Sequence, residues 1–306
     1  MHNNDHDLGR PMKIAMIGFG EAAQAVAAGW RSASAELPQL PISAYDIQYQ
    51  GDLCHGLKRI CTRLNVHCAP CADEAVANSR VIFSLVTADQ AIEAAISVSR
   101  SIMPGAFYFD CNSCAPSTKQ TAAQIISVAG GHYIDVAIMA PIHPRGHRTP
   151  LLIASDRAEE ACALLEALDM QASIAGSEIG QASAIKMLRS VMIKGLEALS
   201  AECILAARRA GVEDAVIASL QASDPGLQWQ SRLSYNLERM MVHGTRRAAE
   251  MQEVAKTLRD LQIPDRMASA ITAWQSQIGS LGIKPGPDSL SDRADLVLDH
   301  LADEPR

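Results

Sequence analysis

Apolar residues along the chain fall first into short runs and later into long periodic stretches. Residues 12–18 (MKIAMIG) form a short apolar run that meets a glycine-rich turn, and residues 21–35 read as an alanine-rich helix. Residues 34–41 hold two prolines and read as a loop; ISAYD then forms a second strand ending in Asp46, with a helix expected over 52–64. Strand-like runs recur at 80–86, 106–110, 132–138 and 151–154, with helical or turn segments such as 89–100 and 117–129 between most of them. Alternating strands and helices imply a doubly wound, mostly parallel sheet.

From about residue 157 the pattern becomes helical. Helices are expected over 157–168, 178–210, 212–221, 226–241, 243–262, 264–280 and 288–302, with proline or glycine near the junctions. No internal repeat and no low-complexity tract is found.

The turn after the first strand reads Gly18-Phe19-Gly20-Glu21-Ala22-Ala23, a G-x-G-x-x-A fingerprint between a strand and a helix. Gly18 allows the tight turn, Gly20 lets the backbone approach a pyrophosphate, and Ala23 lets the helix pack closely on the strand. Asp46, ending the second strand, suits hydrogen bonds to adenine ribose hydroxyls and repels a ribose phosphate, so NAD is expected in preference to NADP. Val86-Thr87 leaves the next long strand beside the cofactor, although Thr87 serves equally as a helix cap. The expected fold is thus an α/β Rossmann domain followed by an all-α C-terminal domain. Its segments are a disordered tail over 1–11, an NAD-binding domain over 12–174 and a helical domain over 175–306.

Composition narrows the partners. A balance of 27 Lys+Arg against 34 Asp+Glu, with no basic block, argues against nucleic acid. No segment approaches the roughly 20 apolar residues of a membrane span, and the first ten residues lack a signal-peptide core; a cytoplasmic location is the expectation. Two C-x-x-C pairs, Cys68/Cys71 and Cys111/Cys114, leave open a zinc site or a redox pair. Reduced thiols used as small apolar residues are the favoured reading, and no metal is expected.

The next strand ends in Asp110-Cys111-Asn112-Ser113-Cys114-Ala115-Pro116, and the long helix carries Gly180-Gln181-Ala182-Ser183-Ala184-Ile185-Lys186. Together with the fingerprint, these motifs resemble the beta-hydroxyacid dehydrogenase family, which includes 3-hydroxyisobutyrate, tartronate semialdehyde and 6-phosphogluconate enzymes. GFGEAAQA, MAPIHPRGHRTPLL, GQASAIKM and HGTRRAAEMQEVAKTL resemble a poorly characterised branch whose C-terminal helical domain has no assigned function. The resemblance covers residues 12–283. It implies a small hydroxy acid or the matching oxo acid as substrate, NAD as hydride acceptor, a homodimer formed through the helical domain, and an active site in the cleft between the domains. Ser113 and its neighbouring backbone, Asn112 included, would hold the substrate carboxylate, and Lys186 would handle the proton of the reacting hydroxyl. A carbinol oxidation needs such a base, and the reverse reaction needs the same group as a donor. Phe19, Glu21, Ala22 and Asn112 join Gly18, Gly20, Asp46, Val86 and Thr87 as expected cofactor contacts. Ser113 serves equally well as a helix cap, and Lys186 as a surface lysine.

Departures from the family pattern bear on the substrate. Where the family has paired glycines, this chain has Ala140-Pro141, and proline offers no N–H. Pro141 and Ile142 therefore stand as candidate substrate contacts, with His143, Arg145, His147 and Arg148 either binding an acidic group or simply solvated. Arg189 and Ser190 replace two asparagines after the lysine. Arg247, or Arg246, is the candidate cation on a C-terminal helix, while Arg246 and Glu250 have the spacing of a structural pair. Met139, Ile142 and Trp229 are candidate apolar lining. Imine reduction is a rival, opposed by Lys186, and a non-catalytic dinucleotide-binding regulator is another.

Overall fold

The computed structural model describes residues 12–33, 37–50 and 54–303; the expected tail over 1–11 lies outside them. The elements run β1 (Ile14–Ile17), α1 (Glu21–Ser32), β2 (Ile42–Tyr45), α2 (Cys54–Arg63), β3 (Val66–Cys68), α3 (Ala72–Val76), β4 (Val81–Ser84), α4 (Ala91–Ser99) and β5 (Phe107–Asp110). They continue with α5 (Pro116–Val128), β6 (His132–Ile138), β7 (Leu151–Ala154), α6 (Ala158–Ala167), β8 (Ala172–Gly176) and α7 (Gln181–Arg209). Four helices follow: α8 (Glu213–Ser223), α9 (Trp229–Asp260), α10 (Arg266–Ser280) and α11 (Leu290–Asp303).

The described strands form one eight-stranded sheet in the order β3-β2-β1-β4-β5-β6-β7-β8. All neighbours are parallel except β6 and β7. Strand order reverses between β1 and β4, which places a crevice outside the carboxyl ends of those strands, where ligands bind in such sheets. The register pairs Ile17 with both Tyr45 and Ser84, and Ser84 with Asp110, and Asp110 with Asp135. Gly18, Asp46, Leu85 and Cys111 therefore leave the sheet side by side.

Both faces of the sheet are covered, which is why its central strands are continuous apolar runs rather than alternating ones. One face buries Trp30, Phe83, Phe109 and Leu165 beneath α1, α2 and α6. The other buries Val76, Ile82, Val98, Tyr108 and Ile126 beneath α3, α4 and α5.

The chain divides into two compact units after Lys186. The expected boundary at 174/175 falls inside β8, an edge strand that the sequence pattern did not reveal; β3, at the other edge, was missed too. Both are short, and β8 is only half-buried, so neither carries the apolar run that marked the central strands. In the second unit α9 is one helix where a break before residue 243 was expected. Gly244 read as punctuation, but it is a packing position: a Cβ there would stand 2.4 Å from Gln275 O, and one at Gly279 would stand 2.3 Å from Thr245 N. Backbone meets backbone where α9 crosses α10. No helix among the described residues is long and apolar enough to cross a membrane.

Candidate active site

The first unit gathers the cofactor fingerprint and the expected acid/base at one edge of the sheet. At the end of β1, Gly18 has φ +86°, and a Cβ there would stand 2.5 Å from Leu85 O on the neighbouring strand. Both the conformation and the closeness to β4 demand glycine. Gly20, in contrast, faces open space where a side chain would be. Helix α1 starts at Glu21 with no side-chain hydrogen bond capping it from Gly20. Open space in front of helix N-terminal amides fits a dinucleotide pyrophosphate. Ala23 is fully buried, which brings α1 close against the sheet.

Asp46 does more than end β2. Its Oδ2 accepts the Phe19 amide at 2.7 Å and its Oδ1 accepts the Gln48 amide at 2.9 Å, so this carboxylate pins the glycine loop. A carboxylate has about four acceptor sites, leaving capacity for ribose hydroxyls. Phe19 itself is buried in the core, so it offers the site only its backbone. Glu21 is exposed at the start of α1, with Ala22 half-buried beside it. Thr87 precedes a short 3-10 turn over Ala88–Gln90 without a side-chain capping bond.

Asn112 differs from expectation. It was expected to touch substrate and cofactor, yet its side chain is 3% exposed and spans two strand ends. Its Oδ1 accepts the Val86 amide at 2.7 Å and its Nδ2 donates to Ser84 Oγ at 2.9 Å. The residue ties β4 to β5 and so shapes the crevice from behind.

Ser113 and Lys186, 73 positions apart, are in contact: Lys186 Nζ donates to Ser113 Oγ at 2.7 Å. Beneath them lies a buried ionic network that sequence reasoning missed. Lys119, on α5, is completely buried and donates to Asp110 O at 2.6 Å and Asp110 Oδ1 at 2.9 Å. Its Nζ stands 3.6 Å from Asp135 Oδ1. Asp110 Oδ1 also accepts the Asn112 amide at 2.9 Å, and Asp110 Oδ2 accepts the Tyr133 hydroxyl at 2.5 Å. Asp135 Oδ2 accepts Gly180 N at 3.1 Å, Ser183 N at 3.0 Å and Ser183 Oγ at 3.1 Å, holding the start of α7. Gly180 has φ +106°, with the site of its missing Cβ 3.1 Å from Pro116 Cβ, so α5 and α7 begin in close contact. Burial disfavours the Lys119 ammonium, but Asp110 and then Asp135 outweigh it and hold its pKa above the ordinary lysine value. A signal was present in the sequence: Asp110 and Asp135 each end or interrupt an apolar strand, and buried carboxylates require a partner.

With this geometry established, comparison with known proteins places the chain. A crystal structure of a conserved hypothetical protein from Sinorhizobium meliloti 1021 is 33% identical, covering 95% of this chain and 97% of its own, with a TM-score of 0.75. The conserved protein MTH1747, of unknown function but described as structurally similar to 3-hydroxyacid dehydrogenases, is 27% identical over 88% of this chain and 97% of its own, with a TM-score of 0.69. The chain belongs to one family with the Sinorhizobium meliloti protein and is structurally similar to the 3-hydroxyacid dehydrogenases. Residues 207–278 match the family model described as "Domain of unknown function (DUF1932)". The fold is shared with Mycobacterium tuberculosis 3-hydroxyisobutyrate dehydrogenase, at 11% identity, TM-score 0.72, and coverage of 94% of this chain and 99% of that one.

The loop over 139–149 shows what stands where paired glycines were expected. Pro141 is exposed, while Ile142 is half-buried against the core beneath α1. The loop then runs along α1. His143 Nε2 lies 4.0 Å from Glu21 Oε1, Gly146 lies against Ala25 O, and the ring of His147 fills the space left by Gly29. His147 and Arg148 both reach Asp169, at 3.2 Å and 2.5 Å. His147 is buried and Arg148 is exposed, and through Asp169 both hold the loop in place.

Four expected contacts lie in the second unit. Arg247 Nη1 reaches both carboxylate oxygens of buried Glu197, which Gln275 also contacts, so its charge is already neutralised there. Ser190 is buried and accepts Lys194 Nζ at 3.3 Å, and Lys194 pairs with Glu250 at 2.7 Å. Lys194 and Glu197 on α7 thus meet Glu250 and Arg247 on α9 as two reciprocal ion pairs. Arg189 is exposed, and Trp229 packs partly against the helical core.

Among the described residues no cluster of His, Cys, Asp and Glu suits a metal ion, and the described cysteines are free thiols. Burial pushes the Cys111 thiol up to about 12, so it stays protonated at neutral pH and is a poor nucleophile. Iodoacetamide at pH 8 is expected to alkylate partly exposed Cys71 and leave Cys111 untouched in the native protein, read by peptide mass spectrometry. Equal labelling of the two would show that the loop opens.

Proposed function

We propose that the chain is an NAD-dependent oxidoreductase acting on the carbinol or carbonyl carbon of a small hydroxy acid or its oxo counterpart, with Lys186 as acid/base. The observation that carries this reading is the 2.7 Å contact between Lys186 and Ser113 in the unit that holds the glycine fingerprint. NAD, when bound, supplies the hydride acceptor. Gly18, Gly20 and the first amides of α1 would receive its pyrophosphate, and Asp46 its adenine ribose.

The side chains account for the proton. In the oxidative direction neutral Lys186 takes the substrate hydroxyl proton at Nζ; in the reductive direction its ammonium returns one. Because Ser113 Oγ accepts from Lys186, its own O–H is directed elsewhere and is available to a substrate carboxylate. Polarisation by a charged donor strengthens that outward bond. Pro141 offers no amide, so carboxylate recognition rests on Ser113 and its neighbours rather than on a glycine pair.

Exposed Leu188, Met192, Leu196 and Leu199 lie on one face of α7, and this supports the proposal that a second copy of the chain covers it. Sedimentation should give a dimer that Met192→Glu dissociates; a monomeric wild-type chain at micromolar concentration would remove this part.

Lys186→Ala is expected to lower turnover about 100-fold or more while leaving NAD affinity nearly intact, measured by NADH absorbance across a panel of hydroxy acids. Full residual activity, or an equal loss of cofactor binding, would contradict the assignment. Asp46→Ser should lower the NAD over NADP ratio of kcat/KM by about tenfold, and should weaken NAD itself because the Phe19 amide loses its acceptor. An unchanged ratio with weaker binding of both would confine Asp46 to supporting the loop.

A further inference from the structure

Lys119 is a buried cation that the proposed chemistry does not use. It sits on α5, completely buried, with two carboxylates arranged around one ammonium. Each carboxylate has a second task. Asp110 fixes the amide of Asn112, the residue before Ser113, and Asp135 fixes the amides of Gly180 and Ser183, the turn that presents Lys186. Ser113 and Lys186 come from a strand-end loop and a helix and meet at 2.7 Å. The start of α5 and the turn before α7 also touch directly, at Pro116 and Gly180 and through Gln120 Nε2 donating to Ile179 O at 3.3 Å, but neither contact reaches the strand ends that carry Asp110 and Asp135.

We propose that Lys119 is the positioning residue of the site: by drawing Asp110 and Asp135 to one point, it sets the distance between Ser113 and Lys186. Without the ammonium, two carboxylates on adjacent strands would repel each other in a water-poor setting, or one would take up a proton. Either response releases a backbone amide, Asn112 on one side or the α7 start on the other. Tyr133 cannot replace the lysine, because its hydroxyl donates one proton, to Asp110, and carries no positive charge. The role of this network in catalysis rests on the reading of Ser113 and Lys186 as the reacting pair; its role in holding them together does not.

The test therefore uses a readout independent of substrate. The full-length protein is labelled with trinitrobenzenesulfonate at fixed pH, and the rate at Lys186 is read by peptide mass spectrometry against exposed Lys58. Lys119→Met and Asp135→Asn are expected to raise the Lys186 rate about threefold or more, as its bond to Ser113 loosens. The Lys58 rate should stay constant, and NADH affinity should stay within about twofold. Where the wild type turns over a hydroxy acid, kcat should fall with KM for NAD little changed. A wild-type Lys186 rate in a variant that melts cooperatively would overturn the proposal; faster labelling with unchanged kcat would uphold the positioning and contradict Lys186 as the acid/base. If Lys119→Met fails to fold, Asp135→Asn decides alone by the same two results. An inactive wild type would sink the dehydrogenase reading and leave the labelling result standing.

Discussion

One buried ammonium between two carboxylates holds the carboxyl edge of the sheet in its working shape. Charges this deep are costly: leaving one unpaired by removing its partner typically costs about 3–5 kcal/mol. The network meets that demand with hydrogen bonds as well as charge, since Lys119 also contacts a backbone carbonyl and each aspartate accepts amide or hydroxyl protons. It lies between β5, β6, α5 and the start of α7. Every group proposed to touch substrate is attached to one of those elements.

The cofactor side is built on different physics. There the sheet reverses its order, Gly18 brings two strand ends together, and Gly20 leaves open space at the N-terminus of α1. Asp46 and Asn112 brace this crevice by accepting or donating hydrogen bonds across neighbouring strand ends. The clamped loop over 139–149 then lies along α1, fixed by the fit of His147 against Gly29 and by two contacts to Asp169. A loop pinned in this manner is a fixed part of the first unit, not a lid. Dehydrogenase-like architecture follows from these features and agrees with the structural similarity to 3-hydroxyacid dehydrogenases.

Much of the architecture was legible because local chemistry dictates it. Central strands such as VIFS and FYFD are apolar on both faces, and the fingerprint combines turn, phosphate approach and helix packing in six residues. Ser113 and Lys186 were legible as motifs, and the fold brings them together. The edge strands were not, because three to five half-exposed residues give no period to read. Gly244 misled for a related reason: a glycine that ends a helix and one that permits two helices to touch look identical in sequence. Arg247 read as an open cation because Glu197, 50 positions away, leaves no local trace. Lys119 was hidden in the polar string STKQT, where only the buried aspartates of two other strands could have exposed it.

The account's central claim is that the fingerprint and the Ser113–Lys186 pair serve one ligand. A crystal structure of the protein grown with NADH tests this most directly. The account predicts the pyrophosphate on the amides from Gly18 to Ala22 and the reactive carbon of the nicotinamide turned toward Ser113 and Lys186, leaving room for a substrate carbon at roughly 3–3.5 Å. A dinucleotide bound with its nicotinamide directed away from that pair, or no dinucleotide at the crevice at saturating NADH, would contradict it.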